Sequence, residues 1–194
     1  MSNLSNNPLF KKALLLEYLT IAWNIFEGIS SVLVAVMTGS VSLFAYGLES
    51  SVEVFASSVV VWELTGAGKG REKKALKMIG YAYLVVSAYI FFDASRSLFA
   101  GHHAERSFLG VALMAITALI MLSLGIGKRI VGTKLKSSTV LADAKFTLID
   151  AMLSTTVLVG LLFNALFGWW WTDQALALFL AGAAFREGIK EILN

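Results

Sequence analysis

Six apolar segments, each about as long as a bilayer is thick, divide this sequence of 194 residues. They cover residues 14–38, 41–64, 78–99, 108–131, 139–163 and 171–192. A helix needs about 20 mostly apolar residues to cross the hydrocarbon core. Only 15% of the residues are charged, whereas about 25% is usual in soluble domains. The sequence therefore predicts an all-α polytopic membrane protein. We expect a six-transmembrane-helix bundle that forms a single domain over residues 1–194, without a separate soluble domain.

Basic residues fall mainly on one side of the predicted bilayer. Those near the two termini and in the second and fourth connections are Lys11, Lys12, Lys69, Arg71, Lys73, Lys74, Lys77, Lys128, Arg129, Lys134, Lys136, Arg186 and Lys190. The opposite side has Arg96 and Arg106. Because cytoplasmic loops carry the excess of Lys and Arg, the N- and C-termini are predicted to be cytoplasmic.

Several other chemistries find little support in the sequence. There is no cysteine, which removes disulfides and thiolate ligands. His102 and His103 adjoin in an outer loop, where ordinary solvated histidines are expected more often than a metal site. No nucleophile–base pair or glycine-rich phosphate loop is present, so we expect no enzyme. The basic loop 69–77 is explained by topology and by attraction to anionic lipids, and no nucleic-acid binding is predicted.

Two carboxylates lie inside the second apolar segment, and a third lies at a matching depth in the fifth. Glu49 and Glu53 are one helical turn apart and share a face. At 1.5 Å per residue, Glu53 is ~18 Å from the outer start of its span, and Asp150 is ~17 Å from the inner start of its own. These depths overlap near the middle of a core about 30 Å thick. Burying a charge there costs at least ~2.5–3.5 kcal/mol, which a bound cation would offset. We therefore predict an intramembrane metal-ion site formed by Glu49, Glu53 and Asp150.

Two further acids inside spans are candidates for the same site. Glu27 lies at mid-depth in the first span beside Asn24, and it is predicted to be an extra ligand. Asp143 lies two turns below Asp150, where it would guide the ion from the cytoplasm or act as an inner gate. Pairing with a lysine such as Lys145 is an equal alternative for Asp143. For each acid taken alone, a protonated or hydrogen-bonded carboxyl group with no further role is also open.

At these residues the sequence resembles the cation diffusion facilitator family of divalent-metal exporters. The second span contains GSVSLFAYGLESSVEVFAS, which is similar to that family's second span, with Glu49 and Glu53 at its two acidic positions. The fifth contains VLADAKFTLIDAMLSTTVLVGLL, in which Asp150 matches the second residue of a His/Asp-x-x-x-Asp pair. The sixth contains WWWTDQALALFLAGAAFREGIKEI, with Asp173 at the usual Asp. A short bacterial branch is more similar still, in EYLTIAWNIFEG and NALFGWWW.

The resemblance implies exchange of a metal ion for protons, a homodimer and a place in the bacterial inner membrane. The sequence departs from the family pattern at the first position of the fifth-span pair, which is Phe146 and cannot ligate. The family's histidine-rich loop is missing, and its cytoplasmic metal-binding domain would begin beyond Asn194. Imidazole suits zinc, whereas carboxylates suit harder ions such as manganese, so zinc or manganese is expected as the transported substrate, with iron and cobalt in the same class.

The leading hypothesis is therefore a proton-coupled exporter of a divalent transition metal. Glu49, Glu53 and Asp150 would bind the ion, Glu27 would assist, and Asp143 would lead the ion from the cytoplasm. Phe146 motivates an alternative of another class, a membrane metal sensor or accessory subunit that keeps the fold without transporting. A proton or monovalent-cation pathway through the same acids is a third possibility.

Overall fold

The computed structural model of the protein describes residues 7–38, 41–66, 70–100, 108–167, 169 and 171–193. Every regular element within these ranges is an α-helix. The helices are α1 (Pro8–Thr38), α2 (Val41–Thr65), α3 (Arg71–Ala100), α4 (Phe108–Leu135), α5 (Ser138–Phe167) and α6 (Thr172–Leu193). The predicted fold class, an all-α polytopic membrane protein, is confirmed.

Several helices extend past the predicted apolar segments, and the local sequence determines where they begin and end. The Asn7 side chain accepts a hydrogen bond from the Leu9 amide at 2.9 Å and Pro8 occupies the first turn, a combination that favours a helix start. α1 therefore begins about two turns before residue 14. α4 continues to Leu135, and the positive φ of 55° at Lys136 ends the helix there. The predicted segments were thus too short for α1, α3 and α4, since a helix can continue past its apolar stretch.

Helix length and surface chemistry both fit a bilayer. α1, α3 and α4 are each long and apolar enough by composition to cross a membrane. α2, α5 and α6 contain 25, 30 and 22 residues, which at 1.5 Å per residue is ~33 Å or more. Mid-helix apolar residues such as Phe26, Phe92 and Leu119 expose 56%, 67% and 68% of their surface. An outward-facing apolar surface around polar buried side chains is the arrangement that lipid requires.

Two groups of helices pack side by side. α1, α2, α4 and α5 form a four-helix group through extensive α1–α2 and α4–α5 contacts, and α3 packs lengthwise along α6. Small residues allow the close approach: a Cβ atom on Gly47 would lie 2.9 Å from the Gly28 carbonyl oxygen, and one on Gly80 would lie 2.9 Å from that of Gly188. The four-helix group encloses the carboxylates predicted from the sequence.

Candidate functional site

Polar side chains recur every three or four residues on the inward faces of three helices in the four-helix group. On α1 they are Glu17, Thr20, Asn24, Glu27 and Ser31, on α2 Tyr46, Glu49, Ser50, Glu53 and Ser57, and on α5 Asp143, Thr147, Asp150 and Ser154. All of them are buried, with exposures of 3% or less. This spacing places each set on one stripe of its helix. Together with the buried Lys128 of α4, whose ammonium group contacts Glu17 and Asp143, the three stripes form a continuous polar interior, which we call the polar track.

Glu49, Glu53 and Asp150 lie together in the middle of the polar track. Asp150 interacts electrostatically with both glutamates and with Glu27. Its Oδ1 atom accepts a hydrogen bond from the Tyr46 hydroxyl at 3.0 Å. Four carboxylate oxygens have no hydrogen-bond partner: Glu49 Oε2, both oxygens of Glu53, and Asp150 Oδ2. Buried polar atoms are nearly always paired, so these four unpaired oxygens distinguish the centre from an ordinary buried polar cluster.

Glu27 lies at the edge of this centre, and both of its carboxylate oxygens accept hydrogen bonds. Ser50 donates a hydrogen bond to its Oε1 atom at 3.0 Å, and Thr117 of α4 donates one to Oε2, also at 3.0 Å. Both oxygens of Glu27 therefore have partners, unlike those of Glu53. The neighbouring Asn24 has a buried Oδ1 atom without a hydrogen-bond partner.

Asp143 lies two turns before Asp150 on α5 and forms an ion pair with Lys128, whose ammonium nitrogen is 2.5 Å from Oδ2 of Asp143. Pairing with a lysine was one of the two predicted alternatives, but the partner is on α4. Lys145 instead binds Glu187 and Glu191 of α6, both at 2.9 Å. Its side chain is 39% exposed and points away from the polar track. The choice of lysine follows from the packing of α4 against α5, which sequence distance does not reveal.

Lys128 and Glu17 are two charged members of the polar track whose pairing was not predicted from the sequence. Lys128 was assigned to the cytoplasmic connection after the fourth span, but its side chain is fully buried in α4. Its ammonium nitrogen lies 2.9 Å from Oε2 of Glu17 on α1. The usable signal was the spacing of Glu17 with Thr20, Asn24 and Glu27, which places all four side chains on one face of the first predicted segment.

Phe146, which stands at the first position of the fifth-span pair, has a packing role. Its side chain is 2% exposed, and its ring lies 4.6 Å from that of Tyr83 on α3, centroid to centroid. It therefore fills the junction between the four-helix group and α3. Thr147, the next residue, carries the polar position on this turn of α5.

In the part of the chain that the structure describes, the acidic side chains are not arranged to coordinate a metal ion. No group of three or more His, Asp or Glu side chains there is close enough to a common point to hold a metal ion as it stands. A metal ion bound among Glu49, Glu53 and Asp150 would have to draw their side chains together. Asp173 lies in the first turn of α6, and its side chain, like His102 and His103, is outside the described residues.

A bundle of membrane-spanning helices with ionisable side chains buried along its interior has the features of a membrane transport protein. Comparison with known proteins gives the family. Residues 78–194 match the family described as the cation efflux transmembrane domain, and the chain belongs to the cation efflux family. Members of this family are transporters of divalent metal cations rather than enzymes.

Two relatives cover most of the chain. Transmembrane protein 163 of Xenopus laevis is 23% identical over 189 residues, which are 95% of this chain and 67% of that protein. A protein of Synechocystis sp. (strain ATCC 27184 / PCC 6803 / Kazusa), described as an uncharacterized transporter, is 30% identical over 154 residues. That match covers 73% of this chain and 49% of the Synechocystis protein, so the chain spans only about half its length.

Proposed function

We propose that the protein exports a divalent transition-metal ion from the cytoplasm in exchange for protons, through a site formed by Glu49, Glu53 and Asp150. The observation that carries the proposal is the set of four buried carboxylate oxygens without hydrogen-bond partners at mid-bundle. Two helices supply the three side chains, so a relative movement of α2 and α5 would assemble or open the site. Glu27 and Asn24 stand beside it as additional oxygen donors.

The donor set indicates which metals would bind. Every candidate side chain offers oxygen, and the described part of the chain brings no imidazole to the site. Oxygen donors favour harder ions such as Mn²⁺, and zinc accepts carboxylates at ~2.0–2.2 Å. We propose Mn²⁺ or Zn²⁺ as substrate, with Fe²⁺ and Co²⁺ in the same class.

Proton exchange follows from ligand chemistry. A carboxyl group coordinates a metal ion only after it has lost its proton. An arriving ion would therefore release protons from the three side chains, and protons entering from the outside would release the ion. One site can serve both cargoes because they compete for the same oxygens.

A cavity gives the site a route toward the outer side. It measures about 60 Å³ and lies between α2, α3, α5 and α6, next to Glu49 and Tyr46. Asp93, Ser97 and Gln174 line its outer part. A water molecule needs about 15 Å³ of such volume, so several waters fit between the site and the outer ends of α3 and α6. This route is on the opposite side of the site from Asp143.

Further features of the proposal come from the family and the charge distribution. We propose a homodimer in a bacterial inner membrane, with both termini cytoplasmic. Assigning Lys128 to the interior does not change this orientation, because the other basic residues of the inner connections remain on that side.

Reconstitution into proteoliposomes tests the proposed function. With Mn²⁺ or Zn²⁺ outside and a metal-sensitive dye inside, we expect saturable metal entry whose rate follows an imposed pH gradient, with none in protein-free vesicles. Saturable binding without flux would contradict transport and favour a non-transporting metal-binding role. Proton flux that needs no divalent ion would favour a proton pathway through the same acids.

A smaller change tests whether Asp150 binds the ion. The Tyr46→Phe substitution removes the hydroxyl that donates to Asp150 Oδ1. Loss of a hydrogen-bond partner behind a ligand typically costs about 10–100-fold in metal affinity, and we expect a loss in this range for Mn²⁺ by titration calorimetry. Tyr83→Phe is the matched control, because that buried hydroxyl donates to the Ala142 carbonyl oxygen at 3.1 Å. Equal losses in both variants would argue against Asp150 as a ligand.

A further inference from the structure

Lys128 occupies a binding site built by four oxygen-bearing side chains from three other helices. Its ammonium nitrogen lies 2.9 Å from Glu17 Oε2 and 2.5 Å from Asp143 Oδ2. It also donates to the hydroxyls of Ser57 and Thr147, each at 3.2 Å. All five residues are fully buried. α1, α2 and α5 thus converge on one cation that α4 supplies.

The same four side chains form a donor set suited to a divalent cation. Two carboxylates and two hydroxyls are the hard oxygen ligands that Mn²⁺ and Mg²⁺ prefer. The Oε1 atom of Glu17 and the Oδ1 atom of Asp143 are buried without hydrogen-bond partners, so the ammonium does not use the full capacity of either carboxylate. An ion with a higher charge could engage both oxygens of each.

This inner site lies directly below the mid-bundle centre on the polar track. Ser57 follows Glu53 by one turn of α2, and Thr147 precedes Asp150 by three residues on α5. Lys128 also interacts electrostatically with Glu53. At 1.5 Å per residue, Lys128 is ~10 Å from the cytoplasmic end of α4. An ion moving from the cytoplasm to Glu53 along the polar track would therefore meet Lys128 first.

We propose that Lys128 is a tethered cation that fills a second divalent-metal site, formed by Glu17, Asp143, Ser57 and Thr147, and blocks it against metal ions. The blocking role in transport rests on the proposed function, because it closes the cytoplasmic half of the same path. The hidden inner site does not depend on transport, since its oxygens are separate from the three mid-bundle carboxylates.

Counting bound Mn²⁺ tests the proposal directly. We expect the purified Lys128→Met protein to bind one more Mn²⁺ per chain than the wild-type protein in equilibrium dialysis. Lys128→Arg keeps the positive charge and should bind the same number as the wild type. The triple variant Glu17→Gln, Lys128→Met, Asp143→Asn should lose the additional ion. An unchanged number in Lys128→Met, or an additional ion that survives in the triple variant, would overturn the proposal.

Two further variants separate the possible failures. In an Asp150→Asn background, adding Lys128→Met should still add one Mn²⁺, which shows that the gain is independent of the mid-bundle centre. A wild-type protein that binds none of Mn²⁺, Zn²⁺, Fe²⁺ and Co²⁺ would refute the proposed function, while a gain from no bound Mn²⁺ to one in Lys128→Met would still support the inner site. If Lys128→Met alone does not fold, the double variant Lys128→Met, Glu17→Gln keeps one carboxylate. It should bind the additional Mn²⁺ more weakly than the mid-bundle ion, and failure to bind it at millimolar Mn²⁺ would overturn the proposal.

Discussion

The Glu53→Gln and Asp150→Asn variants are expected to bind Mn²⁺ at least about 100-fold more weakly than the wild-type protein and to lose its transport. Replacing a residue behind a ligand already costs about 10–100-fold in affinity, so loss of a ligand should reach or pass the upper end of that range. Glu53 is the strongest case because neither of its carboxylate oxygens has a hydrogen-bond partner. Affinity is measured by titration calorimetry, and transport by metal entry into proteoliposomes.

The amide substitutions are chosen to leave the fold intact. Asparagine at position 150 keeps a carbonyl oxygen that can accept the Tyr46 hydrogen bond, and it removes a carboxylate on which Glu49, Glu53 and Glu27 act electrostatically. Glu72→Gln is the control, since Glu72 is an exposed acid in the first turn of α3 far along the chain from the polar track. Wild-type affinity and flux in Glu53→Gln would remove this centre from the mechanism.

A graded series across the acids would rank their roles. Glu49→Gln should resemble Asp150→Asn, because Glu49 Oε2 is also without a partner. Glu27→Gln should weaken binding by only about 10-fold, the lower end expected for residues behind the ligands, because Ser50 and Thr117 already hold both of its oxygens. A Glu27→Gln loss as large as that of Glu53→Gln would make Glu27 a direct ligand.

The burial of Glu49, Glu53 and Asp150 at one level of the bundle interior was predictable from the sequence because it depends on regular quantities. Helical periodicity places the two glutamates on one face, and the rise per residue gives their depth in a bilayer of fixed thickness. An acid in an apolar span must face the bundle interior. Depth and face together bring residues of α2 and α5 to one level once the helices are neighbours.

The ion pairs of the inner site were not predictable by the same rules. Lys128 is near the end of an apolar segment, where a lysine usually extends to the interface, and Glu17 precedes most of the first segment. Their burial depends on which helices pack together, and on the register of α4 against α1 and α5. Charge patterning along one helix contains neither kind of information. The ring contact between Phe146 and Tyr83 likewise depends on how α5 packs against α3.

The Lys128→Met substitution is expected to be the most destabilising single change in the polar track, lowering the free energy of unfolding by about 3–5 kcal/mol. It removes the ammonium group and leaves Glu17 and Asp143 buried with no counter-charge, both at 0% exposure. Removing one partner of a buried ion pair costs this much because the remaining charge has lost its compensation without regaining water. Denaturant unfolding of the purified protein in detergent micelles, without divalent metal, gives the value.

Neutralising the whole cluster should reverse the loss. The triple variant Glu17→Gln, Lys128→Met, Asp143→Asn has no buried charge at this position, and replacing a buried ion cluster by neutral groups is often neutral or stabilising. Millimolar Mn²⁺ should restore stability to Lys128→Met but not to the triple variant, because a ligand stabilises only the folded state that binds it. If Lys128→Met were as stable as the wild type without metal, the ammonium could not be the counter-charge of these two acids, and the distances that join them would carry no energetic weight.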